Sequence, residues 1–195
     1  MSPRTEKQYQ EIREEKQKLI KDKALELFAL EGFDKTSISK IAKSAGISKG
    51  LLYNYFDSKE ALLTDIIFEQ VDLMMSFFDP NHDGVLEKDE MEYFIRQTFK
   101  LVRENPEFWK LYFMLAFQPN VMKLVEEKFM AIIQPMIERT NEFFRRQGYE
   151  NPEVWTRYLG ATLDGISMNY VVDPDNFPLD DIENLVIKQI CGTNK

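Results

Sequence analysis

The sequence predicts an all-α protein of about nine helices, a small amino-terminal three-helix module followed by a larger helical body. Three observations carry this. Apolar residues recur at steps of three and four in the long segments. No stretch shows the alternation of a strand. Each periodic segment is closed by glycine, proline or a capping Ser, Asp or Asn. With 195 residues, 44% hydrophobic and 30% charged, the chain has the make-up of a globular protein and can bury a core of its own.

The first helix is expected over residues 5–31, on the stripe Ile12, Leu19, Ile20, Ala24, Leu27 and Phe28, with Gly32 at the C-terminal cap. Its turns up to Lys18 are mostly charged and are expected to be frayed or exposed. Ser37 caps a short helix holding Ile38, Ile41 and Ala42, which stops at Gly46. Ser48 caps another, expected over Lys49 to Phe56. Asp57 is expected to cap a third, with Glu60 completing a capping box, and this helix runs to about Phe78.

Beyond it, residues 79–89 are polar and contain Pro80 and Gly84. A helix follows over about Lys88 to Glu104. Asn105-Pro106 opens a short aromatic helix, which ends before Gln118-Pro119. The next runs from about Asn120 to Arg146, with a bend expected at Pro135. Asn151-Pro152 opens a helix to about Val172. Pro174 and Pro178 separate it from a last helix over about Leu179 to Ile190.

Charge divides the chain in two. The formal net charge is −8, but residues 1–60 hold 12 Lys and Arg against 10 Asp and Glu. Residues 35–59 hold five lysines (Lys35, Lys40, Lys43, Lys49, Lys59) and one acid, Asp57. A basic window on an acidic body implies two parts with different partners. We therefore expect two domains, 1–60 and 61–195, with different roles.

Composition also excludes functions. One cysteine, Cys191, allows no internal disulfide and suits a reducing cytoplasm. One histidine, His82, leaves no Ser/His/Asp or Cys/His set, so neither an enzyme nor an organic cofactor is expected. No apolar run reaches the roughly 20 residues of a membrane span, and the first residues, Met1 to Arg4, start no apolar signal region. A cytoplasmic protein is expected.

Residues 33–63 carry the functional signal. Two short helices flank a glycine-containing turn, the pattern of a helix-turn-helix. Gly46 supplies the positive φ of that turn. Ile41, Ala42, Ile47 and Leu52 join the helices, while Ser48, Lys49, Gly50, Tyr53 and Asn54 fall at or near the start of the second one, the end that meets base edges and phosphate. The order and spacing of Gly32-Phe33, Thr36, Ile41-Ala42, Ala45-Gly46-Ile47-Ser48, Gly50, Leu52-Tyr53, Tyr55-Phe56, Lys59 and Leu62 resemble the tetracycline-repressor (TetR) family of bacterial regulators, over about residues 15–65.

The resemblance implies a homodimer that binds double-stranded DNA, most often as a repressor, and leaves it when a small-molecule effector enters the helical body. Carried over by position, Lys49, Gly50, Leu51 and Asn54 are base-facing. Thr36, Ser37, Ser39, Tyr53, Tyr55 and Lys59 are phosphate contacts or supports for them, and Ser48 caps the recognition helix. Tyr55 stands where the family often has histidine.

A second motif is independent of the first. Residues 79–90 fit the calcium-loop pattern D-x-[DN]-x-[DN]-G-x5-E, with Asp79, Asn81 and Asp83 at loop positions 1, 3 and 5. Gly84 stands at the sharp turn, the Val85 carbonyl at position 7, Glu87 at position 9 and Glu90 at position 12. Bound Ca2+, or Mg2+ as second choice, is the expectation. The other reading is an acidic linker of turn formers. On the ion-binding reading the chain is an EF-hand-type helical protein or a calcium-modulated regulator.

In the body, Phe108, Trp109, Tyr112, Phe113 and Phe117 are the candidate effector-pocket residues, though aromatics at helical spacing also make plain core. The stripes Trp155 to Tyr170 and Leu179 to Ile190, with Gly160, Ala161 and Gly165 for close approach, are the expected dimer interface.

Overall fold

The computed structural model describes residues 5–192; the leading Met1 to Arg4 lie outside the described residues. Among the described residues there are nine helices and no strand. They are α1 (Glu6–Glu31), α2 (Ile38–Ser44), α3 (Lys49–Tyr53), α4 (Lys59–Phe78), α5 (Lys88–Glu104), α6 (Pro106–Ala116), α7 (Pro119–Arg146), α8 (Pro152–Val172) and α9 (Leu179–Cys191).

The chain forms two compact units. The first joins residues 1–68 to 111–125, the second 69–110 to 126–195. Residue 60, where the two expected domains meet, lies in the first turn of α4.

In the first unit, α1 buries Ile20, Ala24, Leu25 and Phe28. Phe33 packs edge-on against Phe28, ring centroids 5.0 Å apart. The leading turns of α1 are helical from Glu6, because Thr5 and Gln8 form a reciprocal capping box. These turns are largely exposed, as their charge leads one to expect. A second difference lies at α4, whose start is capped by Ser58 rather than Asp57: the Ser58 hydroxyl accepts from the Ala61 N–H at 2.9 Å.

In the second unit, α5 buries Met91, Phe94, Ile95, Phe99 and Val102 and packs on α8 and α9. Glu183 on α9, nearly buried, accepts from Arg96 Nη1 and Arg103 Nη2, both at 2.9 Å. Burial works against the Arg103 charge, but its hydrogen bond to Glu183 and the charges of Asp180 and Glu183 outweigh it, so its pKa rises further. Burial also pushes the Cys191 thiol up to about 11. Cys191 is half-buried at the end of α9.

Candidate nucleic-acid interface

The site is built by two capped helices and the turn between them. The Ser37 hydroxyl accepts from Lys40 N–H at 3.3 Å and starts α2; the Ser48 hydroxyl accepts from Leu51 N–H at 3.1 Å and starts α3. Residues 45–48 form the turn, with Gly46 at φ 66, a conformation glycine adopts without steric cost. The Ile47 N–H donates to the Ala42 carbonyl at 3.0 Å and closes it.

Helix α3 ends at Tyr53, short of the expected Phe56, and Leu52 is its one buried residue. Lys49, Gly50, Leu51, Tyr53 and Asn54 are exposed around it, as are Ser39, Ser37 and Ser48. The Lys49 ammonium lies over the Tyr53 ring, 5.8 Å from its centroid. Lys35 and Lys43 are exposed on the same unit, and Lys40 is paired with Glu31.

Two residues assigned to phosphate contact or its support serve as supports. Thr36 is 1% exposed; its hydroxyl donates to the Gly32 carbonyl at 2.9 Å and the Leu27 carbonyl at 3.2 Å. Lys59 is half-buried: its ammonium donates to the Phe33 carbonyl at 2.9 Å and covers the Phe33 ring at 4.2 Å. Thr36 thus ties the loop after α1 back to the end of that helix, and Lys59 ties it to the start of α4.

Sequence reading missed two residues. Arg13 stacks its guanidinium on Tyr55, 5.2 Å from the ring centroid, so a cation from α1 stands beside a residue that carries no charge of its own. Gln118, at the α6–α7 junction, accepts from the Phe33 N–H at 3.0 Å and donates to the Phe28 carbonyl at 2.7 Å. It clamps the end of α1 to the returning segment. Both contacts span long stretches of chain, and no local pattern announces them.

The candidate effector-pocket residues of the body stand in different surroundings. Trp109 is buried, with its indole N–H donated to the Leu101 carbonyl at 2.9 Å. Tyr112 donates to the Ile67 carbonyl at 3.3 Å, and burial raises its pKa to about 12. Phe117 is 64% exposed. Phe108 and Trp109 belong to the second unit, whereas Tyr112, Phe113 and Phe117 belong to the first. A cavity of about 430 Å³ in the second unit is lined instead by Gly84, Val85, Leu86, Pro135, Phe143 and polar residues of α7. The aromatic run is divided because α6 crosses the unit boundary.

In the 79–90 loop, the carboxylates are engaged separately. Asp79 pairs with Arg139 at 2.8 Å and Glu87 with Arg146 at 3.0 Å. Among the described residues no three acidic, histidine or cysteine side chains are gathered as an ion-binding group, and no helix is long and apolar enough to cross a membrane.

Two capped helices about a four-residue turn, with an exposed polar face on the second, define a helix-turn-helix DNA-binding protein. Residues 20–66 match the family described as bacterial regulatory proteins, tetR family. The chain is 55% identical over 53 residues to the uncharacterized HTH-type transcriptional regulator YuxN of Bacillus subtilis (strain 168), covering 27% of this chain and 18% of that protein. It is 26% identical over 155 residues to the HTH-type transcriptional regulator UidR of Escherichia coli (strain K12), covering 79% of each. It also has the fold of the transcriptional regulator FadR from Bacillus subtilis, solved in complex with stearoyl-CoA: TM-score 0.67, 19% identity, 91% of this chain and 98% of that one. Residues 20–66 thus form a helix-turn-helix module of the TetR type, and the chain is similar to transcriptional regulators over most of its length.

Proposed function

We propose that this chain is a cytoplasmic homodimeric repressor. It occupies a roughly palindromic duplex through two copies of α3 and leaves it when a small molecule binds the helical body. The observation that carries this is the exposed run Lys49, Gly50, Leu51 and Asn54, on a helix whose one buried residue is Leu52. The acidic body repels phosphate and confines DNA to the basic module.

Dimerisation follows from α8. Val154, Tyr158, Ala161, Gly165, Met168 and Val172 fall at alternating steps of four and three on one stripe, and Val154 and Val172 are 64% and 75% exposed. A stripe so spaced is the seam of a helix pair, and the small residues at its centre let a second copy approach. That a protein of this fold holds stearoyl-CoA supports a body able to take an elongated apolar effector.

Selection of duplexes from a random library, followed by titration, tests the reading. Lys49→Ala is expected to alter which sequences are bound. Arg13→Ala is expected to weaken all sequences alike and to reduce the salt slope by about one, because its guanidinium beside Tyr55 meets phosphate and not a base. Failure to select any duplex overturns the DNA-binding reading. Uniform loss with Lys49→Ala overturns only the base-facing role of that residue.

A further inference from the structure

The 79–90 loop is the part of the molecule that DNA recognition does not use. It joins the end of α4 at Phe78 to the start of α5 at Lys88. Its polar side chains fold it from within. Asp79 Oδ2 accepts from the Gly84 N–H at 3.1 Å, Asn81 Oδ1 from the Asp83 N–H at 2.9 Å, and Asp83 Oδ1 from the Val85 N–H at 2.8 Å. Glu90 Oε2 accepts from the Glu87 N–H at 2.9 Å. His82 and Gly84 turn the backbone at φ 59 and 80. An acidic turn could be held by these bonds alone.

Asp79 points further. Its side chain is 8% exposed. Oδ2 takes both the Gly84 N–H and the Arg139 guanidinium. Oδ1 is buried and has no hydrogen-bond partner. A carboxylate oxygen shut away from water with no donor is costly unless something cationic or protic meets it. It belongs to position 1 of a twelve-residue loop whose positions 3, 5, 7, 9 and 12 all supply oxygen.

We propose that this loop binds one calcium ion. Asp79 Oδ1, Asn81, Asp83, the Val85 carbonyl and Glu90 would be the ligands, with Glu87 direct or through water. The donor set is all oxygen and its count suits calcium, which takes six to eight ligands in irregular geometry, better than magnesium, which demands a strict octahedron. Glu90 exchanges its cap on Glu87 N–H for the ion. The Arg139 charge on the same carboxylate repels a cation, so affinity is expected at the weak end for such loops, about 10⁻⁴–10⁻³ M. The proposal does not rest on the DNA-binding reading.

Calorimetric titration of the chelator-treated full chain with CaCl₂, and separately with MgCl₂, decides it. One calcium per chain is expected, with a melting temperature higher in calcium than in chelator. Asp83→Asn and Glu90→Gln keep an acceptor for the loop's own N–H groups and remove charge, so both variants should fold. Each should weaken calcium binding at least about tenfold, the cost of losing a charged ligand. Absence of heat and of any melting shift up to 10 mM calcium (about ten times the weakest affinity expected), or binding unchanged in Glu90→Gln, overturns the site and leaves the loop an acidic turn pinned by Arg139.

Discussion

Leu52→Ala is expected to lower the melting temperature by about 4–20 °C and to abolish operator binding. Leu52 is fully buried and is the one buried residue of α3. Removing its side chain forfeits the transfer free energy of the lost atoms and leaves a cavity, together about 2–5 kcal/mol; for a chain of this size each kcal/mol moves the midpoint by about 2–4 °C. The loss falls at the contact that orients the recognition helix, so DNA affinity falls more steeply than global stability. Leu52→Met conserves volume and should cost under about 1.5 kcal/mol. Thermal melting and duplex titration of the two variants side by side check this. An alanine variant that melts normally, or that melts low yet binds normally, would show that α3 is held by other contacts.

Gly165→Glu is expected to leave the folded monomer intact and to eliminate the dimer. A Cβ at Gly165 meets nothing within 4 Å in its own chain, and a non-glycine residue inside a helix gains up to about 1 kcal/mol. Monomer stability should therefore hold or rise. In a two-fold interface each copy presents the same stripe, so the new carboxylates enter a closely packed seam where neither is paired. Sedimentation should give the 23.1 kDa monomer. Operator affinity should fall by about 10²–10⁴, the gain normally supplied by tethering two recognition helices together. Persistence of a dimer would move the interface off α8.

Much of this protein is legible without its tertiary structure. The helix count, the caps at Ser37 and Ser48, the glycine of the turn and the start of α5 at Lys88 depend on residues a few positions apart, where side chain and backbone must satisfy one another. The same holds for the exposed run at Lys49 to Asn54, because an apolar residue every third or fourth position fixes which face is left outside.

What only the tertiary structure decided involves partners far apart in sequence. Thr36 and Lys59 read as polar residues beside a DNA-binding helix, yet Thr36 donates to the carbonyls of Gly32 and Leu27 and Lys59 to that of Phe33. Arg13 reaches Tyr55, Gln118 bridges Phe28 and Phe33, and Arg139 reaches Asp79, through no periodicity or motif. The aromatic residues of α6 read as one cluster and fall into two units. Local propensity chooses the elements; which side chain ends against which backbone group is settled when distant segments compete to satisfy buried polar atoms and fill the same core.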